Sequence, residues 1–326
     1  MKPIGLGIIG LGAQGKLSLC NSLRLNEARV AGVADVSKTA LSYARRKGVK
    51  NVYTNYEDLL RNNEIDAVVI NLPNFLHLEG AINAAEAGKH VLLEKPLART
   101  VEEGEKIVSS ARKNGVKLMV GYDMRFNPVF RKIHDEIVDG FFGSVRIAEA
   151  TNVGGGPFSP RNDSMGPVKV PAWWFDKELT GGGALLDLGS HLVNLLIWYF
   201  GEVLQAESHL DHIFKMDLED AATCVLRFKQ GTVATAHVGW FSKTLFESLQ
   251  ICGTAGNKLI QIYPRSTLRT AWTGIGRSIG VGDDTSFLKV KHFVDSLQND
   301  EQPQPSGEEG LYDLRVISIA YRNALK

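Results

Sequence analysis

Near the N-terminus runs Ile4-Gly5-Leu6-Gly7-Ile8-Ile9-Gly10-Leu11-Gly12-Ala13-Gln14-Gly15, an apolar segment that passes into closely spaced glycines. Residues Ile4–Ile9 read as a buried strand, the glycines then turn the chain, and a helical pattern runs from Ala13 to Leu25. A bare G-x-G-x-x-G is a weak signal, but placed between a strand and a helix it reads as a phosphate-binding turn. Gly10 permits the tight turn, Gly12 lets the main chain approach a pyrophosphate, and Gly15 lets helix and strand pack closely. Ala13 and Gln14 open the helix whose N-terminus would face the phosphate charge. Twenty residues after Gly15, Asp35 closes the next strand, Arg29–Ala34, and is placed to accept hydrogen bonds from the adenosine ribose. A 2′-phosphate would meet a like charge there, so NAD is expected over NADP, a preference that the neighbouring Ser37 and Lys38 soften. The same N-terminus superficially resembles a signal peptide, but its glycines interrupt the apolar run and no small-residue cleavage site follows.

Working outward, strand candidates Ala67–Asn71, His90–Leu93 and Lys117–Val120 alternate with helical patterns at Lys38–Arg46, Tyr56–Leu60, Leu76–Ala87 and Val101–Lys113. That rhythm predicts an α/β, doubly wound parallel sheet over residues 1–123. After Asn127 it changes. A helix at Pro128–Val138, a strand at Val145–Val153, a Gly/Pro-rich loop from Gly154 to Pro171 and an apolar helix at Ala184–Tyr199 come first. Strand-like runs follow at Val203–His209, Ala221–Phe228, Thr232–Trp240, Glu247–Cys252, Lys258–Tyr263 and Thr267–Trp272. Turn signals between them predict a C-terminal α+β domain, 124–326, with an open, mostly antiparallel sheet. Helical patterns at Ser286–Leu297 and Glu308–Ala324 end the chain, and the last, over 308–326, is expected to pack back on the N-terminal domain.

Composition bounds the function. The 326 residues carry 37 Lys plus Arg against 36 Asp plus Glu, a formal charge of +1, so no general attraction to nucleic acid or acidic membranes is expected. Uninterrupted apolar runs long enough to span a bilayer are absent from the sequence. Cys20, Cys224 and Cys252 are scattered, which fits a reducing cytoplasm and neither a disulfide framework nor a zinc cage. The 33 glycines are an excess. Beyond the first turn they gather at Gly154–Gly156 and Gly181–Gly183, which bracket an expected pocket loop.

Two further motifs fall after strands of the parallel sheet, where ligands of such sheets bind. The first is Asn71-Leu72-Pro73-Asn74-Phe75-Leu76-His77, and the second is Glu94-Lys95-Pro96. Asn71, Pro73, Asn74, His77, Glu94 and Lys95 are therefore candidate cofactor contacts. Pro96 holds Lys95 in extended backbone, which aims an ammonium donor at the crevice. Taken alone, Asn74 is equally a helix cap and Lys95 a solvated lysine beside a turn proline.

The segment Gly181-Gly182-Gly183-Ala184-Leu185-Leu186-Asp187-Leu188-Gly189-Ser190-His191 leads into a helix that is apolar nearly all round, yet Asp187, His191 and Asn194 share one face of it. A polar stripe on a buried helix must find partners or face a wet cleft. His191 suits a general base oriented by Asp187; a hydrogen-bonded core pair is the plainer alternative. No metal site is expected, because too few further ligands lie nearby.

These motifs, together with Met124-Arg125-Phe126-Asn127-Pro128, occur in one order that resembles the glucose–fructose oxidoreductase / inositol dehydrogenase / MocA-like family of oxidoreductases, over the whole chain including Gly307-Glu308-Glu309-Gly310. The resemblance implies an N-terminal Rossmann domain and a catalytic group of Lys95, Asp187 and His191. It also implies a cis bond before Pro96 and homo-oligomer contacts, in dimers or tetramers, through the C-terminal sheet. The family's pattern often has Asp three residues after the His, where this chain has Asn194. The expected reaction is reversible, NAD-dependent oxidation of a secondary alcohol on a sugar, cyclitol or related polyol. His191 takes the hydroxyl proton and Lys95 donates a hydrogen bond to the same oxygen. Arg125 is expected at both cofactor and substrate, and Arg161, Trp173, Trp174 and Asn194 at the substrate, since aromatic faces suit a sugar ring and loops carry specificity. Three alternatives stay open: an NAD-dependent glycosidase, a nucleotide-sugar dehydrogenase or imine reductase, and a non-catalytic NAD(P)-binding sensor or co-repressor.

Overall fold

Alternating apolar segments and amphipathic helices fold as strands β1 (Ile4–Ile9), β2 (Ala28–Ala34), β3 (Val52–Tyr53), β4 (Ala67–Ile70), β5 (His90–Leu93) and β6 (Leu118–Val120). All pair in parallel, in the order β3-β2-β1-β4-β5-β6. The chain winds outward from β1 through β3 and then restarts on the other side at β4. The carboxyl ends of β1 and β4 therefore mark the switch point, where a doubly wound sheet opens a crevice. Strand β4, all apolar and buried at every position, is the centre of the sheet. Between the strands run α1 (Ala13–Ser22), α2 (Lys38–Arg46), α3 (Tyr56–Leu60), α4 (His77–Glu86) and α5 (Val101–Lys113). Helix α5 shows why such segments are helical: Thr100 caps it, Glu102 and Glu103 occupy the first turn, and Arg112 and Lys113 the last. The computed structural model describes residues 2–158, 161–163, 166–168, 170–263 and 284–325. The strand expected at Thr267–Trp272 lies outside them.

Two compact units divide the chain, Met1–Tyr122 with Ser286–Leu314, and Asp123–Thr285 with Arg315–Lys326. In the second unit come α6 (Pro128–Val138), β7 (Val145–Val153), a short hairpin of β8 (Arg161–Asp163) and β9 (Gly166–Val168), α7 (Lys177–Thr180) and α8 (Ser190–Phe200). Then follow β10 (Val203–Asp211), β11 (Ala221–Phe228), β12 (Val233–Gly239), β13 (Phe246–Gly253) and β14 (Asn257–Tyr263). Helices α9 (Thr285–Gln298) and α10 (Gly307–Arg322) and the short β15 (Ala324–Leu325) close the chain.

The second sheet has the order β14-β13-β7-β12-β11-β10-β15. It is mixed: β7–β12 and β10–β15 run parallel, and the other pairs antiparallel. Helix α8 packs on β7 and β12, burying one face of the sheet. The other face leaves Ile147, Val225, Val233 and Leu259 exposed. The apolar run Lys177–Phe200 is long and hydrophobic enough by composition to cross a membrane, but 72% of that window is buried inside the protein. A left-handed Gly181 (φ 85°) also breaks the run, so it reads as a core segment.

The continuous helix expected at Ala184–Tyr199 is replaced by a wide π-turn over Leu185–Gly189 that leads into α8. An i→i+5 turn changes the azimuth of what precedes it. Asp187 and His191 thus do not follow ordinary i, i+4 spacing.

Candidate active site

In the first unit the site grows from the glycine turn. Gly10 adopts φ 82°, and a Cβ there would come within 2.6 Å of the Asn71 carbonyl; one on Gly15 would come within 1.9 Å of the Gly10 carbonyl. Gly12 is different: a Cβ on it would meet nothing within 4 Å. Two glycines thus serve packing, and the third leaves open space beside the N-terminus of α1. That terminus has no side-chain cap and no acidic residue in its first turn, so its amide donors suit an anion. The turn fits the pyrophosphate of a dinucleotide.

Asp35 braces this turn. Its Oδ2 accepts from the Leu11 amide at 2.6 Å and its Oδ1 from the Ser37 amide at 2.7 Å. A carboxylate has about four acceptor positions, so two remain for ribose hydroxyls. Ser37 caps α2, accepting from Ala40. Asn71 Oδ1 accepts from Ser18 Oγ at 2.9 Å, pinning α1 to the end of β4. Gln14 Nε2 donates to Glu94 Oε1 at 3.2 Å, which ties the turn to the end of β5. Lys95, half-buried, follows Glu94 and precedes a cis Pro96. Pro73 and Asn74 lie half-buried between β4 and α4.

His77 needs a correction. Expected to touch the cofactor, it is 1% exposed, with Nδ1 2.8 Å from the Pro96 carbonyl and Nε2 2.9 Å from the Leu72 carbonyl. Its ring spans the loops after β4 and β5 and is used up by main chain. Burial lowers its pKa, against the pull of the two carbonyls.

In the second unit Asp187 and His191 are half-buried, while their neighbours Leu186, Ser190 and Leu192 are buried. His191 Nδ1 lies 3.5 Å from Asp123 Oδ1. Asp187 Oδ2 accepts from the indole of Trp240 at 3.2 Å. Trp240 is itself buried, and a Cβ on Gly156 would fall 2.1 Å from its ring. One glycine of the Gly154–Gly156 run therefore makes room for the tryptophan that holds Asp187. Sequence reasoning missed Asp123 and Trp240. The signal for Asp123 was its position directly ahead of Met124-Arg125-Phe126-Asn127-Pro128; for Trp240 there was none.

Arg125 and Asn194 are brought together. They are 6% and 1% exposed, and Arg125 Nε donates to Asn194 Oδ1 at 2.8 Å. The guanidinium also lies 5.6 Å from the Trp198 ring centre. A buried guanidinium needs an acceptor, and here Asn194 supplies one while Trp198, also on α8, offers an aromatic face. Trp173 and Trp174, half-buried on the short turn Ala172–Phe175, pack on each other with ring centres 5.6 Å apart. Arg161 sits in the β8–β9 hairpin, and its side chain lies outside the described residues.

The entry to the π-turn is held by Glu219, which is 4% exposed. Its Oε1 accepts from the Gly183 and Leu185 amides, each at 3.0 Å, and from the Tyr321 hydroxyl at 2.6 Å. Its carbonyl accepts from the Ala184 amide at 2.9 Å. Three successive amides that a helix start would leave orphaned are thus satisfied by one residue. Burial pushes the Glu219 carboxyl up, while these donors pull it down. The Gly181–Gly183 run gives them access, because a Cβ on Gly183 would lie 2.0 Å from the Glu219 carbonyl and one on Gly182 2.4 Å from the Tyr321 hydroxyl. Among the described residues no cluster of His, Cys, Asp and Glu could hold a metal.

Comparison with known proteins gives the same picture. Residues 4–122 match the model of an oxidoreductase family with an NAD-binding Rossmann fold, and residues 130–257 the GFO/IDH/MocA C-terminal domain. The chain is 26% identical to 1,5-anhydro-D-fructose reductase of Ensifer adhaerens, covering 94% of this chain and 92% of that one. It is 34% identical to an oxidoreductase of Rhizobium meliloti, over 78% and 73% of the two chains. Among solved structures, levoglucosan dehydrogenase with NADH and levoglucosan superposes with a TM-score of 0.83 at 21% identity, covering 99% and 97%. With both domain models matched in order and a relative above 30% identity across most of its length, the chain belongs to the GFO/IDH/MocA family of NAD-binding oxidoreductases.

Proposed function

We propose that the protein oxidises, reversibly, a secondary alcohol on a sugar, anhydrosugar or cyclitol, with His191 as general base and Lys95 as the donor to the reacting oxygen. The observation that carries the reading is the pairing of His191 with Asp123: the imidazole keeps 15% of its surface exposed, with Nδ1 3.5 Å from the Asp123 carboxylate. A carboxylate facing Nδ1 favours the tautomer protonated there and makes Nε2 the basic nitrogen. Nε2 takes the hydroxyl proton, and the carboxylate stabilises the imidazolium that forms. The Lys95 ammonium offsets negative charge developing on the alcohol oxygen. Asp187, tied to Trp240, adds a second acidic group on the same segment. Nicotinamide, when bound, supplies the hydride acceptor.

The relatives named for 1,5-anhydro-D-fructose and levoglucosan support a cyclic polyol or anhydrosugar as substrate. The three cysteines, all free thiols, support residence in a reducing cytoplasm.

The test is a panel of polyols, sugars, anhydrosugars, nucleotide-sugars and aryl glycosides with NAD and NADP, followed by nicotinamide absorbance. Turnover of a free or anhydro sugar is expected, with Lys95→Ala and His191→Ala each lowering kcat by about 10²–10⁴-fold. Full turnover in both variants would refute the mechanism. Tight NADH binding with no turnover of any compound would favour a sensor instead.

A further inference from the structure

Lys289, on α9, belongs to no motif and is 1% exposed. Its Nζ donates to Glu94 Oε1 and lies 3.4 Å from the Gly121 carbonyl. The same Glu94 oxygen accepts from Gln14 Nε2. Gly121 is pressed against Glu94: a Cβ there would come within 3.1 Å of both the Glu94 Cα and its Oε2. One ammonium therefore touches the carboxyl ends of β5 and β6 and, through Glu94, the glycine turn that follows β1. These three places edge the crevice side of the parallel sheet.

A buried ammonium is expensive without an opposite charge. A buried ion pair stabilises little compared with two apolar groups of the same shape, whereas breaking one by removing a single partner is costly. The consequence of this pair is therefore geometric. It holds the Glu94 carboxylate where Gln14 can reach it, and so fixes the glycine turn relative to the ends of β5 and β6.

We propose that Lys289 is a positioning residue of the dinucleotide site, acting through Glu94 and Gln14 on the shape of the glycine turn. The inference rests on reading that turn as the dinucleotide site, which NADH titration of the unaltered protein tests separately.

The experiment measures NADH affinity by fluorescence titration, with thermal unfolding alongside, for the full chain carrying Lys289→Met, Glu94→Gln and both together. Each single change leaves one buried charge alone and is expected to weaken NADH binding about tenfold or more. The double variant removes both charges while its amide oxygen still accepts from Gln14, so it is expected to bind NADH about threefold or more tighter than either single variant. Unchanged affinity in Lys289→Met, or a double variant no better than the worse single one, overturns the proposal. If Lys289→Met does not fold, the double variant decides: it must fold and bind NADH about threefold or more tighter than Glu94→Gln, and failure to do so overturns the proposal. Absence of NADH binding by the unaltered protein would instead overturn the reading of the turn.

Discussion

Residue by residue, the chemistry depends on side chains whose partners are far away in sequence. Asp35 braces the glycine turn and is proposed to offer its remaining acceptors to a ribose, so Asp35→Ala is expected to weaken NADH binding about tenfold, about 1.4 kcal/mol. The unaltered protein should bind NADH more tightly than NADPH in the same titration. His77 is a clamp. Replacing it by Ala removes the imidazole that fills the space between the Pro96 and Leu72 carbonyls together with its hydrogen bond, which costs about 1–3 kcal/mol, measurable by chemical unfolding. Its pH behaviour has a definite sign. Burial lowers the folded pKa below the ordinary imidazole value of about 6.5, so the unfolded chain takes the proton first as pH falls. The contribution of His77 is full above that value and lost as pH falls through the folded pKa. Unfolding free energy should therefore decline more steeply below about pH 6.5 in the unaltered protein than in His77→Asn. His90, also lowered by burial first and by Lys117 second, acts with the same sign in both proteins. Motif reading singled out Asp35 and His77. It misjudged the second because a short motif does not say whether an imidazole faces a crevice or the core.

At the scale of elements, the segment that carries Asp187 and His191 depends on its entry. Glu219 takes the amides of residues 183–185, and Tyr321 joins it from α10. Glu219→Ala leaves two amides and a hydroxyl without their acceptor and is expected to cost about 3 kcal/mol or more. Gly183→Ala drives a Cβ into a carbonyl that cannot yield and should cost about 1–3 kcal/mol. Because the π-turn starts there, turnover should fall further than the stability loss alone explains, provided the assay is run well below the melting temperature. The Gly-Gly-Gly run was visible in the sequence as an excess of glycine, but its reason was not. The residues it makes room for stand 36 and more positions away. The helix itself was legible from its apolar character, while its wide turn was not, since apolar periodicity does not separate an α-turn from a π-turn when nearly every position is apolar.

At the scale of the molecule, the second sheet presents one buried and one open face. Exposed Ile147 and Val233 are register partners on β7 and β12, with Val225 on β11 and Leu259 on β14 on the same sheet. We propose that this apolar stripe is covered by a second copy of the chain. Val233→Glu should therefore reduce the assembly size measured by light scattering, with the fold intact by circular dichroism. The two kinds of sheet, the bounds of most long elements and the dinucleotide turn were legible along the chain. Those features follow from local period, glycine spacing and the twenty-residue interval to Asp35. Sequence reading missed the two-residue strands Val52–Tyr53 and Ala324–Leu325, whose pairing comes from neighbours rather than from local propensity. Which groups meet became visible in the folded chain alone: Asp123 with His191, Trp240 with Asp187, Arg125 with Asn194, Lys289 with Glu94 and Glu219 with the helix entry. Each pairing joins distant segments, and its geometry is set by how buried charges and donors find acceptors in a packed interior, which the spacing of residues along a chain does not encode.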